Sequence, residues 1–220
     1  ADIFLKFYGD CKDMANLLNQ MLRYAQLDSN LTWIGTRIKP YKYEEAPTPQ
    51  VDNHMITNLV IDGKSYFLDA TDKFCPFTFP SSMIQGKEAL IGKSDKEFRL
   101  EMVPIVESTK NKTTISMKLN LENNTIIGDA TSTISGLKKS YLLNNLSAYN
   151  QKEAEIWKNT ITSHNQKIQL EIQELQKNDY QEQPSKAVFK LKLEDGVKDV
   201  NGKLLIKSLL LFPLKESLID

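Results

Sequence analysis

The sequence predicts an α+β fold: a helix packed on an antiparallel sheet, then a mostly antiparallel β domain with one inserted helix. Three observations carry this. Apolar residues recur at Met14, Leu17, Leu18, Met21, Leu22 and Ala25, the three- and four-residue spacing of one helix face. Two apolar runs flank Asp62-Gly63 in "HMITNLVIDGKSYFLDATD", the mark of a hairpin with a two-residue type I′ turn. Past Val103 the chain repeatedly alternates apolar and polar residues between turn-forming ones.

The elements follow in order. Asp10 is a good N-cap, Asp13 completes a box-like start, and the helix is expected from Cys11 to about Gln26. "NLTWIGTRI" (30–38) reads as a strand, and the polar, Pro-rich "KPYKYEEAPTPQVDN" as a loop. After the hairpin, residues 73–101 carry Pro76, Pro80, Gly86 and Gly92 and read as an irregular segment wrapping the first domain. Composition changes near Val103-Pro104, which suggests domains at 1–102 and 103–220. In the second, "TTISMKLNL" and "TIIGDATSTISG" read as strands about an Asn-rich turn, and 138–164 as a helix. "KIQLEIQEL", "AVFKLKLED" and "KLLIKSLLLF" read as further strands, "KLEDGVKD" as a solvated turn and "VNGK" as a tight one. "SLLLFPL" is expected as a buried strand end.

Composition narrows the function classes. The 220 residues carry 28 basic and 28 acidic side chains, a net charge of zero, with no basic cluster of the kind that tracks nucleic acid. No apolar run approaches the ~18 residues of a membrane-spanning helix. The 2 cysteines and 2 histidines are scattered without metal-ligand spacing, so neither a metal nor another cofactor is expected. No Asp-rich loop suggests calcium dependence. Ala1 is not a natural start, which suggests a processed or trimmed chain.

"GDCKD" (9–13) places Cys11 in the first turn of the helix, where unsatisfied N–H groups and the positive end of the backbone dipole favour a thiolate. The same N–H groups are placed to stabilise an oxyanion. Position alone also suits a small half-buried residue at a helix start. A base is supplied by the hairpin. With two residues in its turn, opposed positions sum to 125, so Asp69 faces Ile56 and shares a face with His54. A three-residue turn would put them on opposite faces. Asp69 also suits a cap on the "ATD" turn, and Asp72 is an alternative partner for His54. Together Cys11, His54 and Asp69 follow the logic of a nucleophile, a base, and a group that orients the base.

The strings "YGDCKDMANLLNQMLRYAQLD", "VDNHMI" and "YFLDATD", in that order and spacing, resemble the bacterial transglutaminase-like superfamily over roughly residues 1–92. The resemblance implies a papain/transglutaminase-like core, with Cys11 as nucleophile, His54 as general base and then acid, and Asp69 as orienting carboxylate. The β-rich remainder resembles the companion domain of Bacteroidetes-type relatives. Such relatives have further helices upstream of the nucleophile helix, which help form the cleft, and they are often periplasmic or extracellular.

The leading expectation is therefore cysteine-dependent acyl transfer on a peptide or protein amide, with hydrolysis ranked above cross-linking. The alternative is a catalytically silent relative that acts as a binding or scaffold module through its β domain. Among other residues, Cys75 in "FCPFTFP" is expected as a packed loop thiol, although a bridge to Cys11 would block the chemistry. Trp33 is expected in the core beside the helix, or as a shield over a thioester. Trp157 is expected to anchor its helix on the β domain. His164 is expected in solvent, and Tyr8 is a candidate to line the cleft.

Overall fold

The computed structural model describes residues 9–148, 153–162, 168–177 and 183–206. Tyr8, His164 and "SLLLFPL" lie outside the described residues. The architecture is α+β, and the chain forms two compact units, 1–108 and 109–220. Val103 is fully buried in the apolar core of the first.

The first unit opens with helix α1 (Cys11–Tyr24). Its start is a complete capping box: the Asp10 side chain accepts from the backbone N–H of Lys12 and Asp13, and the Asp13 side chain accepts from that of Asp10. Its end is closed by Gln26 N–H to Arg23 O and Leu27 N–H to Leu22 O, with Gln26 at φ 61°. This is the left-handed exit usually given to glycine.

Strands β1 (Asp28–Ile34), β2 (His54–Ile61), β3 (Lys64–Leu68), β4 (Glu88–Gly92) and β5 (Phe98–Met102) form an antiparallel sheet in the order β3-β2-β1-β4-β5. β4 and β5 lie within the stretch expected to be irregular. Each has only five residues, too few for a period to stand out among the prolines and glycines around them. β1 is also shorter than expected and stops at Ile34. The β2–β3 hairpin has Ile61 opposite Lys64 and Thr57 opposite Leu68, with Asp62 and Gly63 both at positive φ as a type I′ turn requires.

The sheet is buried on both faces at its centre. On one, Thr57 Oγ1 donates to the Ala15 carbonyl at 2.9 Å and Ser29 Oγ to that of Asn19 at 3.3 Å, binding α1 to β1 and β2. On the other, Ile34, Ile56, Phe67, Ala89 and Ile91 form a core cluster with Ile84 and Val103. Periodicity placed α1's apolar face at Met14, Leu17, Leu18, Met21, Leu22 and Ala25. The positions buried most deeply are instead Ala15 and Asn19, while Met21 is 58% exposed and Ala25 is exposed. A hydroxyl reaching the helix backbone needs a close approach, which small residues permit and long apolar ones prevent.

In the second unit, β6 (Thr113–Glu122), β7 (Thr125–Ile134), β8 (Ile168–Gln176) and β9 (Ser185–Leu193) form an antiparallel sheet ordered β6-β7-β9-β8. The region expected as one helix carries two, α2 (Leu137–Ala148) and α3 (Glu153–Thr162). α2 packs on α3 and α3 on β8, and Trp157 in α3 is fully buried. Ile126, Ala130, Phe189 and Leu191 are buried on the same sheet face. β6 is an edge strand, and its alternating Met117, Leu119 and Leu121 remain exposed. "KLEDGVKD" contains a turn and then begins β10 (Val197–Val200), which pairs with β11 (Lys203–Ile206) across Asn201-Gly202.

Thr57→Val keeps the shape of this buried side chain while removing its bond to α1. It is expected to lower unfolding free energy by about 1 kcal/mol, read as a lower urea midpoint with an unchanged slope. An unchanged midpoint would exclude the hydroxyl as a clamp.

Candidate active site

Cys11, Ala15 and Asn19 are four residues apart and lie along one line of α1, the line turned to the sheet. Cys11 stands one turn before Ala15 on this line, and its side chain is close enough to His54 to help raise the imidazole.

His54 opens β2 opposite Ile34 of β1. The chain just before it is pinned. Asn53 Oδ1 accepts from Thr36 N–H at 2.8 Å, and Asn53 Nδ2 donates to Thr36 Oγ1 at 2.9 Å. Upstream, the buried Tyr43 hydroxyl donates to Asp52, and Tyr43 N–H donates to Glu88 Oε2 at 2.7 Å. These bonds hold the long loop against β4, so the strand begins from a fixed point.

Asp69 follows directly on β3, and its side chain is fully buried. Oδ2 lies 2.9 Å from His54 Nε2 and accepts from Ser81 Oγ at 2.7 Å. Oδ1 accepts from the N–H and hydroxyl of Thr71, at 3.1 and 2.6 Å. One carboxylate thus holds the imidazole and caps the "ATD" turn, a different oxygen doing each. Asp72 does not replace it: its N–H bonds the Asp69 carbonyl, and its side chain lies against Cys75. With Nε2 engaged, Nδ1 is the ring nitrogen not bound to the carboxylate.

The electrostatics follow from this packing. Burial pushes the Asp69 carboxyl up, but the bonds from His54, Thr71 and Ser81 and the His54 charge outweigh it, so the group sits below its ordinary value. The Asp69 hydrogen bond raises His54 above its ordinary value against the opposing effect of burial, assisted by the Asp69 charge and by Cys11. The first-turn amides of Lys12 and Asp13 are bound by Asp10 rather than by sulfur. Of the features expected to activate the thiol, the helix start is therefore partly taken up by its own cap, and His54 is the neighbour that remains.

Cys75 is a free thiol, as is Cys11. Its Sγ donates to the Phe79 carbonyl at 3.3 Å, and burial, with Asp72 and Asp69 nearby, pushes it up to about 12. Trp33 meets Phe98 edge-on, with ring centroids 6.2 Å apart, a packing role within the sheet. Among the described residues, no three His, Cys, Asp or Glu side chains are grouped to hold a metal ion, and no helix is long and apolar enough to cross a membrane. An open depression of about 530 Å³ lined by Asp129, Glu171, Lys190 and Lys192 belongs to the second unit, not to that of Cys11.

Sequence reasoning did not reach Ser81 or Asn53. Ser81 comes from the irregular segment, whose placement depends on Ile84 entering the core. Asn53 stood in the quoted "VDNHMI", and an amide beside a strand's first residue was the available signal.

The pair leaves a signature in stability. A raised His54 contributes fully below its ordinary value of 6.5 and loses that contribution as pH rises through its folded-state value. A depressed Asp69 contributes above its ordinary value of 3.8 and loses that contribution as pH falls through its folded-state value. The Tm advantage of the wild type over Asp69→Asn is therefore expected to peak between about pH 4 and 6.5. A difference independent of pH would count against the ion pair.

No protein-family model, curated protein or solved structure matches this chain.

Proposed function

We propose that the first unit is a transglutaminase-like cysteine site, with a papain-like arrangement of helix and sheet, that performs acyl transfer on a peptide or protein amide. The observation carrying this reading is His54 held by the Asp69 carboxylate at 2.9 Å, with the Cys11 side chain close enough to the imidazole to help raise it.

The chemistry follows from those contacts. His54 Nδ1 takes the thiol proton while Sγ attacks the amide carbonyl carbon, giving a tetrahedral oxyanion. The Cys11 backbone N–H, which the Asp10 cap does not use, is a donor toward that oxygen. Collapse breaks the C–N bond, the leaving nitrogen takes the proton from His54, and a thioester to Cys11 remains. His54 then accepts a proton from water as it attacks the thioester, and returns one to sulfur as the acid departs. An amine in place of water would give cross-linking. Hydrolysis ranks first because the only acyl acceptor it requires is water. Asp69 stays ionised throughout, holding the ring and stabilising the imidazolium.

The test is the rate of Cys11 alkylation by iodoacetamide from pH 4 to 9. Rapid reaction well below pH 8, lost in His54→Ala, is the expected result. A rate rising only near the ordinary thiol value of about 8.5 in both proteins would overturn the reading and leave a binding or scaffold role. Against a peptide amide that the wild type cleaves, Cys11→Ala is expected to abolish turnover without loss of folding. Asp69→Asn should lower kcat on the order of 10²–10⁴-fold while leaving residual activity.

A further inference from the structure

We infer that Ser81 is a positioning residue that sets how firmly His54 holds its proton, by sharing Asp69 Oδ2 with it; this rests on the acyl-transfer reading of Cys11, His54 and Asp69. Ser81 is 2% exposed, and its hydroxyl reaches Oδ2 at 2.7 Å, the same oxygen that lies 2.9 Å from His54 Nε2. The hydroxyl is held in place from behind. The Ser81 carbonyl accepts from Ile84 N–H at 3.1 Å, and Ile84 is fully buried in the core cluster. Gln85 Nε2 ties down the neighbouring Pro80 carbonyl at 3.0 Å.

A carboxylate oxygen that accepts two donors has its charge divided between them. An imidazolium sharing Oδ2 with a hydroxyl is held less strongly than one that has it alone. The division matters because His54 must both take the thiol proton and release it to the leaving nitrogen, and a base held too tightly is a poor acid in the second step. Thr71 fixes the other oxygen by two bonds, so the carboxylate stays oriented when Ser81 changes. The other groups near the pair are Cys11 from α1, beside His54, and Cys75 with its neighbour Asp72 from the loop beyond β3.

A tuning role and a merely structural one move His54 in opposite directions. Loss of a structural prop would loosen the Asp69 contact and return His54 toward its ordinary value; loss of a competing donor raises it further. The experiment follows the His54 ring protons by NMR as pH is varied. The chain has 2 histidines, and His54→Ala identifies the signal. In Ser81→Ala the His54 midpoint is expected to rise by about half a unit to one unit, with the upper limb of Cys11 alkylation rising in step, and Ser81→Thr should restore the wild-type midpoint. Should Ser81→Ala fold poorly, Ser81→Cys, a weaker donor of similar shape, should give a smaller rise. An unchanged or lowered midpoint, or no restoration by threonine, overturns the assignment of Ser81 while a responsive Asp69→Asn leaves the His54–Asp69 pair intact. If Asp69→Asn fails to shift His54, the pair itself is absent and both readings fall.

Discussion

The first unit is organised around a carboxylate removed from water. An isolated ionised carboxyl in such a place would be strongly unfavourable and would take up a proton instead. Asp69 avoids this because four donors converge on it: the N–H and hydroxyl of Thr71 in the turn after β3, His54 at the start of β2, and Ser81 in the segment leading to β4. Each of those pieces of chain is fixed in turn by the need to keep the carboxylate solvated by protein. The imidazole is the one donor of the four that changes protonation near neutral pH, so the network couples a structural necessity to a titratable group.

The same carboxylate bears on the other thiol of the unit. Cys75 lies close to the same carboxylate but on its buried side, among carboxyl groups and apolar surface that favour the protonated form. Cys11 neighbours the imidazole rather than the carboxylate.

What could be read from the sequence was what depends on short-range geometry. Asp62-Gly63 fixed the turn, the turn fixed the register, and the register put His54 and Asp69 on one face of the hairpin. The N-cap at Asp10 was equally local. Features set by tertiary contacts were not legible. β4 and β5 form because their backbones complete a sheet already begun by β1 and β2. Ser81 reaches the site in a turn closed by Ile84, three residues on, whose side chain is buried in the core. The contact line of α1 escaped the periodicity argument because the helix meets the sheet through small and polar residues, which hydropathy does not count. Alternation did locate β6, but alternation describes a strand and carries no information about whether anything covers it.

That contact line also makes a residue without any chemistry into the spacer of the site. Ala15 is 1% exposed, and the Thr57 hydroxyl reaches its carbonyl directly, so almost nothing separates helix from sheet at that turn. Cys11 stands one turn up the same rod, so how closely the rod lies on the sheet at Ala15 also bears on where the thiol stands. A methyl group there acts as a thin shim. The position of the thiol on α1 thus depends on the size of an alanine that carries no chemistry of its own.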